Sequence, residues 1–360
     1  MKYFPLHILI IGCVLMQACS SSKLPADDLS SFVRGKVDSL QIAQKLPGIF
    51  VGVLDVGKRT YYGAGLADPE KKMAFDSSTL FEIGSITKTF TAYVLEAVLN
   101  EKNINDSSSI ISYLPDSVQT NKALESISFL RLLNHSSGLP RLPENMDLTV
   151  NPTNPYDDYS LEHLFSYLKT CKPEPDGKSN YSNLGVGLAG VLAQRISGKP
   201  YETLLQDYIF KPFNIQQHPD STIASSQHKA QGFMSGNKSS YWLANALAPA
   251  GGLKCSSGEL LTYLQNMAEP TENASQDIVA KLLSPTLEVT DKISVCRTWH
   301  TYEEKDKPII YWHNGGTFGF STFAGFIPHK NKAVVIVINE FNKGSISDKL
   351  GFAIMEKLAK

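Results

Sequence analysis

Three short patterns in this 360-residue chain set a nucleophilic or proton-transferring side chain beside a fitting partner. The first is Ser85 and Lys88 in FEIGSITKTF. Residues three apart on a helix share a face, so the Lys88 amine can stand beside the Ser85 hydroxyl where the helix N-terminus projects unpaired N–H groups. The positive end of the helix dipole favours an alkoxide and a neutral amine. A buried Lys88 could accept the Ser85 proton, whereas a solvated one would stay an ammonium. Ser85 also has a plainer reading as a helix cap, a task open to any Ser, Thr, Asp or Asn. The pattern alone does not choose, since Ser-x-x-Lys also begins at Ser20, Ser166, Ser226 and Ser235.

The second pattern is Tyr181-x-Asn183, found once, ahead of the glycine-rich run LGVGLAGVL. A phenol beside a lysine can pass a proton to a leaving group, and the Asn183 amide can bond both Lys88 and a substrate carbonyl. Taken singly, Tyr181 reads as a turn residue and Asn183 as a helix initiator. The third is His313-x-Gly315 in YWHNGGTFGFSTFAGFI, at the entry to C-terminal strands. Its glycines let a substrate backbone approach, and the Gly316 N–H paired with that of Ser85 would form a two-donor oxyanion hole. The plain alternative is a glycine bulge with a hydrogen-bonded surface histidine.

Positioning these residues takes strands from both ends of the chain. GIFVGVLDVGKRTYYGAGLAD predicts strands at 49–54 and 60–64 joined by a turn around Gly57, and TFAGFI and KAVVIVINEF predict a second pair. Ile86, Phe90, Val94 and Val98 recur at four-residue steps, the period of a helix with a buried face. From about 100 to 300 helical patterns alternate with Pro, Gly, Ser and Asn loops, and ISDKLGFAIMEKLAK reads as a closing helix. The expected fold is α+β: an antiparallel sheet built from both termini, flanked by helices, with a mainly helical region inserted.

Lys2 followed by an apolar stretch from Leu6 to Met16 is a secretory signal pattern, and LMQACSSSK resembles a bacterial lipoprotein signal with Cys19 as the lipid-bearing residue. We therefore expect a signal peptide over 1–19, a polar leader over 20–44 and one folded unit over 45–360. The net charge of −1, with 34 basic and 35 acidic residues and no long runs, argues against nucleic-acid binding. Cys171, Cys255 and Cys296 are too scattered for a disulfide scaffold or a zinc site.

The order Ser-x-x-Lys, Tyr-x-Asn, basic-x-Gly resembles the serine β-lactamase and penicillin-binding protein superfamily, most closely its branch of class C β-lactamases, D-Ala-D-Ala carboxypeptidases and esterases. LLNHSSGLP and PAGGLKCSSGELLTYL agree with that branch, and the likeness runs from about residue 45 to the C-terminus. It implies a β-lactamase/transpeptidase-like fold, Ser85 as acylated nucleophile, Lys88 and Tyr181 as proton-transfer pair, and Asn183 as orienter of substrate amide and lysine. The Ser85 and Gly316 amides would be the oxyanion hole, with His313 and Gly315 completing the substrate-binding set. No metal or organic cofactor is implied. The substrate would be a small acyl compound (β-lactam, peptide or ester), and the setting the bacterial envelope or periplasm, with membrane attachment if Cys19 carries lipid. Strong β-lactamases of the family usually have Lys-Thr-Gly where this chain has His313-Asn314-Gly315. A neutral histidine holds a carboxylate less firmly, which counts against efficient β-lactam hydrolysis but leaves acyl-serine chemistry intact. A carboxypeptidase, an esterase, an acyltransferase and a non-hydrolytic binder stay open as alternatives. Gly319-Phe320-Ser321 lacks the closing glycine of Gly-x-Ser-x-Gly, so nothing supports an α/β-hydrolase.

Overall fold

The computed structural model describes residues 29–271 and 273–360, so the expected signal peptide and Cys19 lie outside the described residues. The elements that matter for the site are α1 (Leu29–Gln44), β1 (Gly48–Asp55), β2 (Lys58–Gly65), β3 (Leu80–Glu82), α2 (Thr87–Glu101) and α3 (Asn183–Ser197). After them come β4 (Lys254–Ser256), α4 (Ser257–Ala268), α5 (Asn273–Leu283), β5 (Leu287–Thr290), β6 (Ile293–Val295) and β7 (His300–Tyr302). The chain closes with β8 (Ile310–Gly316), β9 (Ser321–Ile327), β10 (Lys332–Ile338) and α6 (Gly344–Leu358).

Eight strands form one antiparallel sheet in the order β2-β1-β10-β9-β8-β7-β6-β5, joining the two ends of the chain as expected. Ile49 of β1 pairs with Ile338 of β10. Side chains alternate across this sheet: Phe50, Leu54, Val335 and Val337 enter one core, while Ile49, Val51, Val53, Val334 and Ile336 enter another. A strand buried on both faces needs an unbroken apolar run, which is what AVVIVI supplies. The larger core lies under α4 and the inserted region. The smaller one lies under α1 and α6.

Two departures from the sequence reading follow. The 20–44 stretch expected as a leader contains α1, whose Val33 and Val37 are fully buried against the sheet. Their i, i+4 spacing is one turn of apolar face among polar residues, a signal easily lost in a short helix. The middle of the chain also holds short strands, β3 with β4 and β5 through β7, each of three or four residues. Runs that short carry no readable alternation.

Candidate active site

The nucleophile candidate sits on a turn made possible by glycine. Gly84 has φ of 53°, and a Cβ there would lie 2.6 Å from the backbone N of Gly316, while one on Gly315 would lie 2.0 Å from the Ile83 carbonyl oxygen. Residues 83–85 therefore lie flush against the end of β8, with the Ser85 and Gly316 backbones adjacent. The Thr322 hydroxyl donates to the Ile83 oxygen at 3.0 Å, and the Ile83 N–H donates to Leu253 at 3.2 Å, so both sides of the turn are held.

Ser85 lies in the 3-10 turn Gly84–Ile86 that leads into α2. The residues flanking these helix starts, Ile83 and Ile86, offer no side-chain cap. The Ser85 hydroxyl instead accepts from Lys88 Nζ at 3.0 Å. Lys88 is fully buried, and its amine also donates to the Ala250 carbonyl at 2.5 Å. Burial, followed by the nearby charge of Arg141, pushes the Lys88 pKa well below that of an ordinary lysine.

The Ala250 carbonyl is placed by α3. Its glycines leave room for the 247–250 segment: a Cβ on Gly187 would lie 2.5 Å from Leu247 Cδ2, and one on Gly190 would lie 2.3 Å from Pro249 Cβ. Thr91, one turn beyond Lys88 on α2, donates to the Pro249 oxygen at 2.6 Å. The glycine-rich run thus serves packing, and through packing it fixes what the lysine touches.

Tyr181 arrives just before α3, whose true cap is Ser182, accepting from Gly185 N–H at 2.8 Å. The Tyr181 side chain neighbours the Ser85 hydroxyl, which favours its ionised form, yet burial pushes the phenol up to about 12. Asn183 opens α3 and its Nδ2 donates to the Tyr156 hydroxyl at 3.2 Å, while its Oδ1 is buried without a protein partner. No bond joins Asn183 to Lys88, whose bonds go to Ser85 and Ala250.

His313 is 1% exposed, on β8, with Nδ1 donating to the Asn314 oxygen at 2.6 Å. Its ring meets His300 edge-on at 5.4 Å and lies tilted 6.4 Å from Tyr181, and the His135 ring lies 4.5 Å from Tyr181. Burial first, then neighbouring charges, holds His135 and His313 well below the usual histidine range, and burial takes His300 down to about 4. Two histidine rings, His135 and His313, therefore neighbour Tyr181, with His300 next to His313. Among the described residues no His, Cys, Asp or Glu group could hold a metal.

Sequence reasoning missed Glu82. It is buried beside the turn, accepting from the backbone N–H of Trp242 at 2.6 Å and the Thr317 hydroxyl at 2.7 Å. Burial raises its pKa to about 7 against those bonds. Ser85, Tyr181, Asn183, Gly315 and Gly316 line a cavity of about 510 Å³, together with Arg141, Tyr156, Trp242 and Phe318. His313 lies behind that wall.

The profile of the family described as Beta-lactamase matches residues 31–358. The chain belongs to the beta-lactamase family. It is accordingly a serine hydrolase of that family. A beta-lactamase of Pseudomonas fluorescens is 27% identical over 92% of this chain and 99% of its own length. One from Providencia stuartii is 26% identical over 93% and 92% respectively. Among solved structures, a beta-lactamase/D-alanine carboxypeptidase from Pseudomonas syringae superposes with a TM-score of 0.79 at 22% identity, covering 91% of this chain and 98% of that one. A class C beta-lactamase from Rhodobacter sphaeroides gives 0.77 at 20%, covering 91% and 99%. These likenesses establish the beta-lactamase/transpeptidase-like fold expected from the sequence.

Proposed function

We propose that the protein is an exported hydrolase that cleaves an amide or ester through an acyl-enzyme on Ser85. The observation that carries this reading is the Ser85 hydroxyl bonded to a buried amine, Lys88 Nζ at 3.0 Å, with the Tyr181 ring centre 4.9 Å from that same nitrogen. Lys88 takes the Ser85 proton as Oγ bonds to the substrate carbonyl carbon. The Ser85 and Gly316 N–H groups face the oxyanion that forms, a contribution of about 3 kcal/mol per donor in comparable sites. Tyr181 gives a proton to the leaving nitrogen or oxygen as its bond to carbon breaks, and the Lys88 proton then replenishes the phenol. Water attacks the ester by the reverse route, releasing the acid and restoring the Ser85 hydroxyl. Asn183 orients the substrate amide. Export rests on the apolar stretch from Leu6 to Met16 behind Lys2.

A buried, neutral His313 leaves the end of β8 without a cation to seat a β-lactam carboxylate beside the strand, so we favour a peptide or ester substrate over efficient β-lactam turnover. Intact mass after incubation with a penicillin, and separately with a fluorophosphonate, tests both parts beside Ser85→Ala. A Ser85-dependent adduct with either reagent supports the nucleophile, and no adduct from either removes it. A persistent penicillin adduct supports the peptide or ester preference. Rapid loss with hydrolysed drug would identify a β-lactamase instead.

A further inference from the structure

Of the side chains lining the catalytic cavity, Arg141 alone carries a formal charge, and no acidic residue lines that cavity. Its guanidinium stacks 5.0 Å from the centre of the Tyr181 ring, and among the described residues it has no carboxylate in ion-pair distance. An arginine engaged only by a ring face keeps its N–H edge free, and its planar fork matches a carboxylate with two parallel bonds. The backbone fixes its position: the Arg141 carbonyl accepts from the N–H groups of Asn183 at 3.0 Å and Leu184 at 3.2 Å. Arg141 therefore stands on the Tyr181–Asn183 wall, across the cavity from the end of β8. Its charge is felt at Lys88, Tyr156 and Tyr181, the groups nearest the reacting atoms.

We propose that Arg141 is a specificity-determining residue that binds an anionic group, a carboxylate in the first instance, on the substrate. The proposal deepens the acyl-serine reading, since it concerns what that same cavity accepts. His313 is buried behind the wall and cannot make this contact, so anion recognition passes from the strand to the opposite side of the site. The Tyr156–Trp242 pair, 4.9 Å apart, and Phe318 offer apolar surface for the uncharged remainder of the ligand.

The test uses equilibrium binding to the Ser85→Ala protein, where turnover plays no part. Two matched ligand pairs are compared by calorimetry: meta-acetoxybenzoate with meta-acetoxybenzamide, which places the charge on the leaving side, and the ethyl half-ester of adipate with the ethyl ester of its monoamide, which places it on the acyl side. The expected result is tighter binding of the anionic member of at least one pair, with that preference falling by about tenfold in Arg141→Gln and partly kept in Arg141→Lys. Whichever pair responds identifies the side on which the charge belongs. Equal preference, within about twofold, before and after Arg141→Gln in both pairs would overturn the proposal, as would the absence of any anionic preference in the parent. The fluorophosphonate adduct on Ser85 reports on the hydrolase reading separately, so either can fail while the other stands.

Discussion

Lys88 shows why a single buried amine can be both a liability and a tool. With its pKa depressed by burial and by Arg141, it is neutral in the fold at a pH where the unfolded chain carries it charged. The depressed pKa therefore opposes folding below the ordinary lysine range, and that cost shrinks as pH rises towards 10.5. Lys88→Met should lower acylation by about a hundredfold or more while leaving the thermal midpoint equal or higher. Progress curves with an ester substrate and thermal denaturation check the two halves. In the parent, the rate should rise with pH through an apparent pKa well below 10.5, and a flat acid limb would count against Lys88 as base. Ser85 and Lys88 were legible in the sequence because their partnership is local, one turn of helix. Arg141, Trp242 and Glu82 were not, because each acquires its role from a neighbour far along the chain. Arg141 even lies next to the quoted LLNHSSGLP, yet nothing local marks its guanidinium as facing Tyr181.

At the scale of elements, the glycines of α3 act at a distance on the lysine. Gly190→Ala would drive a Cβ into Pro249 and shift the carbonyl of Ala250, so the expected outcome is a loss of about 1–3 kcal/mol of stability together with reduced kcat. Denaturant titration beside kinetics separates this from a purely structural effect, since a structural effect alone would lower the midpoint and spare kcat. The β1–β2 hairpin offers the opposite sign. Val56 and Gly57 have φ of 46° and 82°, the geometry of a type I′ turn, and Val56 is exposed in a backbone region costly for a β-branched residue. Val56→Asn should stabilise the protein by about 1 kcal/mol, read as a raised thermal midpoint with unchanged activity. The hairpin itself was readable from its β-branched and aromatic residues and from Gly57. The edge strands β5 to β7 were not, since their shortness leaves tertiary pairing to define them.

For the whole molecule, the Ser85 turn belongs to both halves. Glu82 joins them, with bonds to Thr317 beyond β8 and to Trp242 in the inserted region. Because burial lifts it from 4.5 to about 7, the folded state holds a proton that the unfolded chain has released across that window. Stability therefore falls as pH rises from 4.5 towards 7, by an amount on the order of a few kcal/mol. Thermal midpoints of Glu82→Gln against the parent over this range should show a flatter slope in the variant; parallel slopes would remove Glu82 as the cause. Elsewhere, Arg297 ties α2 to the segment before β7 through Asp106 at 2.7 Å and Glu96 at 3.2 Å, with both carboxylates buried. Arg297→Ala should cost about 1–3 kcal/mol by denaturant titration, since Asp106 loses its two short bonds while Lys281, 2.6 Å from Glu96 and 3.6 Å from Asp106, still pairs with both carboxylates. The antiparallel sheet was legible because its strands came as long apolar runs at the two termini, whereas the ion cluster was not, its members lying far apart in sequence. The pairing of Ile49 with Ile338 has a temporal consequence. The first central strand has to wait for nearly the last stretch of chain to be synthesised before it finds its partner, and the Gly84 turn has no Gly316 to rest against until β8 exists. A growing chain therefore carries β1 with one edge unpaired and the Ser85 turn without its support, and the candidate site comes into being late.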